Sequence, residues 1–117
     1  RARPAPRPQP MSLPPSINPI HAIGVIDGDA VVLRANVGFG TLTRAAVGDF
    51  TVTLNEPIDE AECTIHANVT TFASAGGGVA IINSIHTSDS QKRFRLFDET
   101  GTAVDRIFAV TIFRIPR

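Results

Sequence analysis

The chain has 117 residues, 43% hydrophobic and 19% charged, a composition typical of one folded domain and not of a disordered segment. Eleven basic residues balance eleven acidic ones, so no strong net charge attracts nucleic acid, and we expect none as a partner. The single cysteine excludes an intrachain disulfide, and no apolar run approaches the roughly 18 residues of a membrane span, so we expect no membrane partner.

The N-terminal residues 1–19 differ sharply in composition from the rest of the chain. They contain seven of the nine prolines and three arginines, but no acidic residue and no glycine. Proline lacks an amide donor and disfavours helix, so this segment is predicted to be extended and unable to fold alone. We interpret residues 1–19 as an anchoring arm ahead of a domain at 20–117; a passive linker and an SH3-type ligand are the alternatives. The residues predicted to anchor the arm on a partner are Arg1, Arg3, Arg7, Pro8, Pro14 and Pro15.

Beyond the arm, short strand-like segments alternate with turn signals, a pattern typical of an all-β sandwich. We predict a two-sheet antiparallel sandwich of jelly-roll type, with strands at 22–26, 30–35, 40–46, 49–54, 63–71, 79–86, 93–97 and 104–115. A helix over 58–68 is the alternative for one strand, because Ile58, Ala61 and Ile65 recur at helical spacing.

The last predicted strand is apolar on both faces. Phe108, Val110 and Ile112 share one side, which we assign to the core. The other side needs cover from the arm or from a neighbouring subunit, and we favour the subunit. The predicted oligomer interface consists of Ile107, Ala109, Phe113 and Ile115.

Several polar groups have the residue types of reactive sites without their spacing. Cys63 and His66 lie an odd number of positions apart, so a strand directs them to opposite faces and not to a shared metal or nucleophilic site. Ser84, His86 and Asp89 could form a hydrolase triad, but no nucleophile-elbow motif or oxyanion loop accompanies them. We predict no catalytic residue and no enzyme activity.

Three further motifs also have structural interpretations. Asp27–Asp29 supplies too few oxygens for calcium and is predicted to form a hairpin turn. Gly76–Gly78 lacks the lysine of a phosphate-binding loop and is predicted to be a loop tip. The basic residues Lys92, Arg93 and Arg95 alternate with phenylalanines as in a half-buried strand with a solvated face. We expect no metal and no cofactor.

Two stretches carry a resemblance to a known class of modules. Gly40–Arg44, Gly48–Leu54 and the following Asn55–Pro57 resemble a pattern of small trimeric β-sandwich modules in bacteriophage fibres and other virion appendages. Phe94–Leu96, followed by Gly101, Asp105 and Phe108–Ile112, resembles the closing strands of those modules. The resemblance spans roughly residues 39 to 115 and rests on Arg44, Gly48, Phe50, Gly101, Asp105 and Phe108; Phe50 replaces the more usual tyrosine.

This resemblance implies a jelly-roll-like sandwich, similar in layout to tumour-necrosis-factor-type trimers, in which the C-terminal strand helps to form the threefold contact. It implies a virion structural protein, a capsid decoration or short-fibre subunit, that binds capsid, neck or tail proteins through its arm. A module that binds a host surface receptor through Gly76–Gly78 and Thr87–Gln91 is the alternative. We expect structural turn roles for Gly48 and Gly101, with Asp105 bonding backbone donors at the turn after Gly101.

Overall fold

The structure, a computed structural model, describes residues 19–70 and 80–115. Within these ranges the chain forms eight β-strands and one 3-10 turn. In chain order they are β1 (Ile20–Asp27), β2 (Val32–Val37), β3 (Phe39–Ala46), β4 (Asp49–Leu54), the turn Glu60–Glu62, β5 (Cys63–Val69), β6 (Ile81–Ser88), β7 (Gln91–Phe97) and β8 (Ile107–Arg114). The predicted anchoring residues, from Arg1 to Pro15, lie outside the described residues.

The strands form two antiparallel sheets, as predicted. One sheet has the strand order β2-β1-β8-β5 and the other β3-β4-β7-β6. Hairpins join β1 to β2, β3 to β4 and β6 to β7, whereas the chain changes sheet after β2, β4, β5 and β7. The last strand therefore lies between the first strand and β5, inside its sheet, so both its edges are hydrogen-bonded and only its outer face remains open.

The core lies between the sheets and follows from the alternation of apolar and polar residues. Along β4 the apolar residues Phe50, Val52 and Leu54 are buried, while the intervening threonines are partly exposed. The ring of Phe108 on β8 packs between those of Phe50 and Phe94 in the other sheet, with 5.7 Å between centroids in each pair. Burying a side chain of this size stabilises the fold by about 1.5–3 kcal/mol.

The alternative of a helix over 58–68 is wrong. Only Glu60–Glu62 forms a single 3-10 turn, and the Asp59 side chain accepts a hydrogen bond from the Ala61 amide at 3.1 Å. From Cys63 onward the chain is β5, because alternate residues such as Ile65 pack against the core. The pairing of β5 with β8 thus outweighs a local helical spacing.

Three residues that carry the resemblance meet at the end of the β3–β4 hairpin. The Arg44 guanidinium binds the Asp105 carboxylate through two hydrogen bonds of 2.7 and 3.2 Å. The amide of Gly48 donates to the same carboxylate at 2.7 Å. Burial raises the pKa of Asp105, but these bonds outweigh it and hold that pKa below its ordinary value. The carboxylate therefore ties the hairpin to the segment before β8.

The turn after β7 is held differently from our expectation. Asp98, and not Asp105, bonds the backbone donors around Gly101: its Oδ1 accepts from the amides of Thr100 and Thr102 at 2.9 and 3.0 Å. Gly101 itself has a φ of 84°, in the left-handed region that favours glycine. Asp105 lies beyond this turn, where Gly48 is the backbone donor within its reach.

Candidate protein interface

One outer surface of the sandwich is apolar. It covers the β2, β1 and β8 part of the outer face of the β2-β1-β8-β5 sheet, where the register aligns side chains that point away from the buried residues of β8. The β5 part of that face is polar, with Thr64, His66 and Asn68. We call this surface the apolar face; its residues are Ile20, Ile23, Val25, Val37, Ala109, Thr111 and Phe113. Four of them are large and substantially exposed, at 39% for Ile20, 41% for Ile23, 70% for Val37 and 37% for Phe113. Solvated sheet faces normally carry polar residues, so this one is typical of a surface that another molecule covers.

The predicted interface residues of β8 divide into two groups. Ala109 and Phe113 belong to the apolar face, and Ile115 just beyond β8 is 43% exposed. Ile107, in contrast, is only 4% exposed. It lies opposite Asp27 at the end of the β1–β8 ladder, and its side chain is buried within the subunit. The prediction for Ile107 therefore does not hold as a surface residue.

A groove of about 340 Å³ crosses the apolar face between β1, β2 and β8. Its walls include Ile23, Val25 and Val37, and its floor is low because Ala35 and Ala109 have short side chains. A β-bulge in the β1–β2 ladder between Gly24 and Ile26 displaces β2 at this point. The remaining lining residues, Gly24, Asn36 and Thr111, are also uncharged.

The outer face of the other sheet has a mixed character. On it the Arg93 guanidinium binds the Asp49 carboxylate through hydrogen bonds of 2.8 and 2.7 Å, and this pair lowers the pKa of Asp49. The Arg95 guanidinium lies 5.2 Å from the ring centroid of Phe97, a cation–π distance. This face also exposes Ile81 at 57% and Ile85 at 37%, so apolar side chains on it are interspersed with charged and threonine side chains that are compatible with water.

An ion pair marks one end of the apolar face. Asp27 is 2% exposed, and its carboxylate accepts from the amides of Asp29 and Ala30 at 3.0 Å each, and from the guanidinium of Arg34. The Ala30 amide, followed by Arg34, lowers the pKa of Asp27 despite burial. These bonds close the β1–β2 hairpin turn, so the carboxylate has a structural role here.

A second site lies between the facing edge strands β5 and β6. Cys63, Ser84 and His86 line a pocket of about 250 Å³ there, together with Glu60 and Ile65. The sequence spacing did not predict that Cys63 and His86 share a pocket, because the two residues lie on strands of different sheets. Burial raises the pKa of the Cys63 thiol, which keeps it in the protonated, weakly nucleophilic form.

The other residues considered for a hydrolase triad, His86 and Asp89, do not form one with a nucleophile. Nε2 of His86 lies 3.4 Å from Oδ1 of Asp89, and the buried Nδ1 of His86 has no hydrogen-bond partner. His86 therefore has a carboxylate on one side but no hydroxyl or thiol hydrogen-bonded on the other, as a nucleophile and its base would require. His66 lies on the outer surface, where its ring contacts that of Phe113 edge-on at 5.2 Å, away from Cys63.

Lys92 departs from its predicted place on a solvated face. It is 0% exposed, on the inward side of β7 with Phe94, and its Nζ donates to the Ser88 carbonyl at 2.7 Å. Burial lowers the pKa of this lysine. The solvated basic residues of β7 are therefore Arg93 and Arg95.

Of the two loops assigned to receptor binding, the structure describes Thr87–Gln91, whose residues are all exposed. Thr87–Gln91 is a tight connection, since Ser88 of β6 already pairs with Gln91 of β7. Gly76–Gly78 lies outside the described residues. Within the described residues, 19–70 and 80–115, no group of three or more His, Cys, Asp or Glu side chains could hold a metal ion. In the same ranges no helix is long and apolar enough to cross a membrane.

The chain matches no protein-family model, no curated protein and no solved structure.

Proposed function

We propose that this chain is a structural protein of a bacteriophage virion, a decoration or short-fibre subunit, that forms a homotrimer and attaches to other virion proteins through its N-terminal arm. The observation that carries this proposal is the apolar face, where four neighbouring large side chains are 37–70% exposed. A surface of this composition favours a lasting contact with protein over contact with water.

Contact between copies of the chain accounts best for the extent of the apolar face. The face runs from Val37 on β2 to Phe113 on β8, so a small ligand in the groove would leave Phe113 uncovered. Most soluble oligomers are made of identical chains related by closed symmetry. The trimeric state is taken from the resemblance, in which the C-terminal strand contributes to the threefold contact.

The contacts among residues of the resemblance also support the proposal. Arg44 and Gly48 both bond Asp105, 61 and 57 positions further along the chain, and the Phe50 ring packs against that of Phe108 at a tilt. Five of the six residues that carry the resemblance therefore join the β3–β4 hairpin to β8 and the segment before it, whereas Gly101 lies in a separate turn held by Asp98. These roles stabilise a scaffold, as expected of a virion component.

The self-association part of the proposal predicts a matched pair of variants with different outcomes. Phe113 and Ile85 are both 37% exposed on outer strand faces, Phe113 on the apolar face and Ile85 on the opposite sheet. The native chain should have the mass of a trimer by light scattering across dilution. Phe113→Arg should weaken association about 100-fold, since burying an unpaired charge in an interface costs several kcal/mol. Ile85→Arg should leave the mass unchanged. A native chain that is monomeric at all concentrations refutes the trimer.

The attachment part of the proposal predicts the effect of a truncation. Residues 1–10 hold three of the eleven basic residues, which leaves eight basic and eleven acidic residues in the rest of the chain. Particles assembled with a chain that lacks residues 1–10 should contain less than about a tenth of the normal amount of the protein, as measured on gels of purified particles, if arm contacts of hot-spot strength are lost. The truncated chain should keep the mass of a trimer. Normal incorporation contradicts the anchoring role.

A further inference from the structure

The groove in the apolar face has a size and chemistry that suit a peptide. Its volume of about 340 Å³ lies in the range of ligand-binding clefts. It is lined by apolar or uncharged side chains, of which Ile23, Val37 and Ala109 are examples. An extended peptide can fill such a groove by inserting alternate apolar side chains.

Residues 11–18 of this chain have a complementary composition. The sequence Met-Ser-Leu-Pro-Pro-Ser-Ile-Asn has no charged residue, whereas all three arginines of the arm lie in residues 1–10. Its apolar side chains are those of Met11, Leu13 and Ile17, beside two prolines. Because its two adjacent prolines lack amide donors, this segment is better suited to dock through its side chains than through a continuous ladder of backbone hydrogen bonds.

The attachment point of this segment lies at the apolar face. The Pro19 carbonyl accepts a hydrogen bond from the Arg114 amide at 2.7 Å, and Ile20 pairs with Phe113. From Ile20 the groove begins at Ile23, roughly 10 Å along β1 at about 3.3 Å per residue. Eight residues in a polyproline conformation span about 25 Å. Residues 11–18 are therefore long enough to turn back over the groove of their own chain or to reach that of an adjoining copy.

We propose that residues 11–18 dock in the groove between β1, β2 and β8, with Leu13 and Ile17 as the apolar anchors, while residues 1–10 extend beyond it. This inference rests on the proposed function only in requiring that the apolar face is covered. It assigns distinct roles to the two halves of the arm: the uncharged half is a part of the assembled sandwich, and the basic half meets the partner.

Disulfide trapping in the full-length chain tests this docking. In a Cys63→Ser background, Ser12→Cys is combined with Ile23→Cys in the groove or with Ile85→Cys on the opposite sheet. Ile23 and Ile85 have similar exposure, 41% and 37%, so they differ mainly in location. Because a disulfide needs Cα atoms within about 7 Å, the Ile23 pair should oxidise at least tenfold faster than the Ile85 pair. Val37→Cys, at a 70% exposed position in the groove, provides a second site.

The products and one further variant make the result decisive. Non-reducing electrophoresis separates a bond within one chain from a bond between two copies, and either product supports docking in the groove. Adding Leu13→Asp and Ile17→Asp should remove the tenfold preference. Equal oxidation rates for Ile23, Val37 and Ile85 overturn the inference, even if the chain is a trimer. A trapped bond in a monomeric chain supports docking while it refutes the trimer, so the two proposals fail separately.

Discussion

Replacing Gly48 by alanine should lower the free energy of unfolding by about 3 kcal/mol or more, among the largest effects of any single substitution outside the core. Gly48 has a φ of 67°, and a Cβ there would lie 2.6 Å from the Leu96 carbonyl oxygen and 2.8 Å from that of Val104. The left-handed conformation alone costs a side chain about 1–2 kcal/mol. The two oxygens belong to backbone that cannot move freely, since Leu96 also accepts a bond from the Val104 amide.

Gly101→Ala is the matched control for this substitution. Gly101 has a φ of 84°, but a Cβ there would meet nothing within 4 Å. The expected loss is therefore the conformational cost alone, about 1–2 kcal/mol. Urea unfolding followed by far-ultraviolet circular dichroism measures both variants, because the chain has no tryptophan or tyrosine to report by fluorescence. If both variants lose the same free energy of unfolding, the backbone around Gly48 relaxes to accept a side chain, and the close contacts there do not require glycine.

The strands could be predicted from the sequence because each is specified by its own side chains. A strand such as β4 can be recognised from its period-two alternation of apolar and polar residues without knowing its partner strand, because the alternation follows from the burial of one face. The predicted 49–54 matches β4, and the predicted 63–71 contains β5. Boundaries shifted where pairing extends a strand beyond its pattern, as in β1, which reaches Asp27 because Ile107 pairs with it.

The contacts that join distant segments could not be predicted in this way. Asp98 and Asp105 are both acidic residues near Gly101, and only the three-dimensional approach of the β3–β4 hairpin shows that Asp105 bonds Gly48. The burial of Lys92 follows from its place on the inward side of β7, a position that charge alone argues against. The pocket that Cys63 shares with His86 depends on how the two sheets face each other.

The two faces of β8 define the relation between fold and proposed assembly. Inward, Val110 and Ile112 are fully buried with Phe108. Outward, Ala109 and Phe113 contribute to a surface that the isolated chain leaves exposed. A strand in the middle of a sheet can serve both purposes because alternate side chains point in opposite directions. Substitutions on β8 should therefore separate into losses of stability and losses of association.

Phe108→Ala tests this separation and should cost about 3–5 kcal/mol, because it removes a ring from the fully packed core and leaves a cavity. The ring is 0% exposed and bridges the sheets through Phe50 and Phe94, so neither sheet can close the space alone. This loss should not depend on protein concentration when it is referred to the folded monomer.

Phe113→Ala, on the other face of the same strand, should behave differently. In a self-associating chain, unfolding is linked to dissociation, so removal of an interface side chain lowers the midpoint of unfolding by an amount that grows with protein concentration. Thermal unfolding over a hundredfold range of concentration measures this dependence, with Ile85→Ala as the control at equal exposure on the other sheet. If Phe113→Ala and Ile85→Ala respond alike at every concentration, the outer face of β8 does not contribute to association. The apolar face then needs a partner other than a copy of the chain.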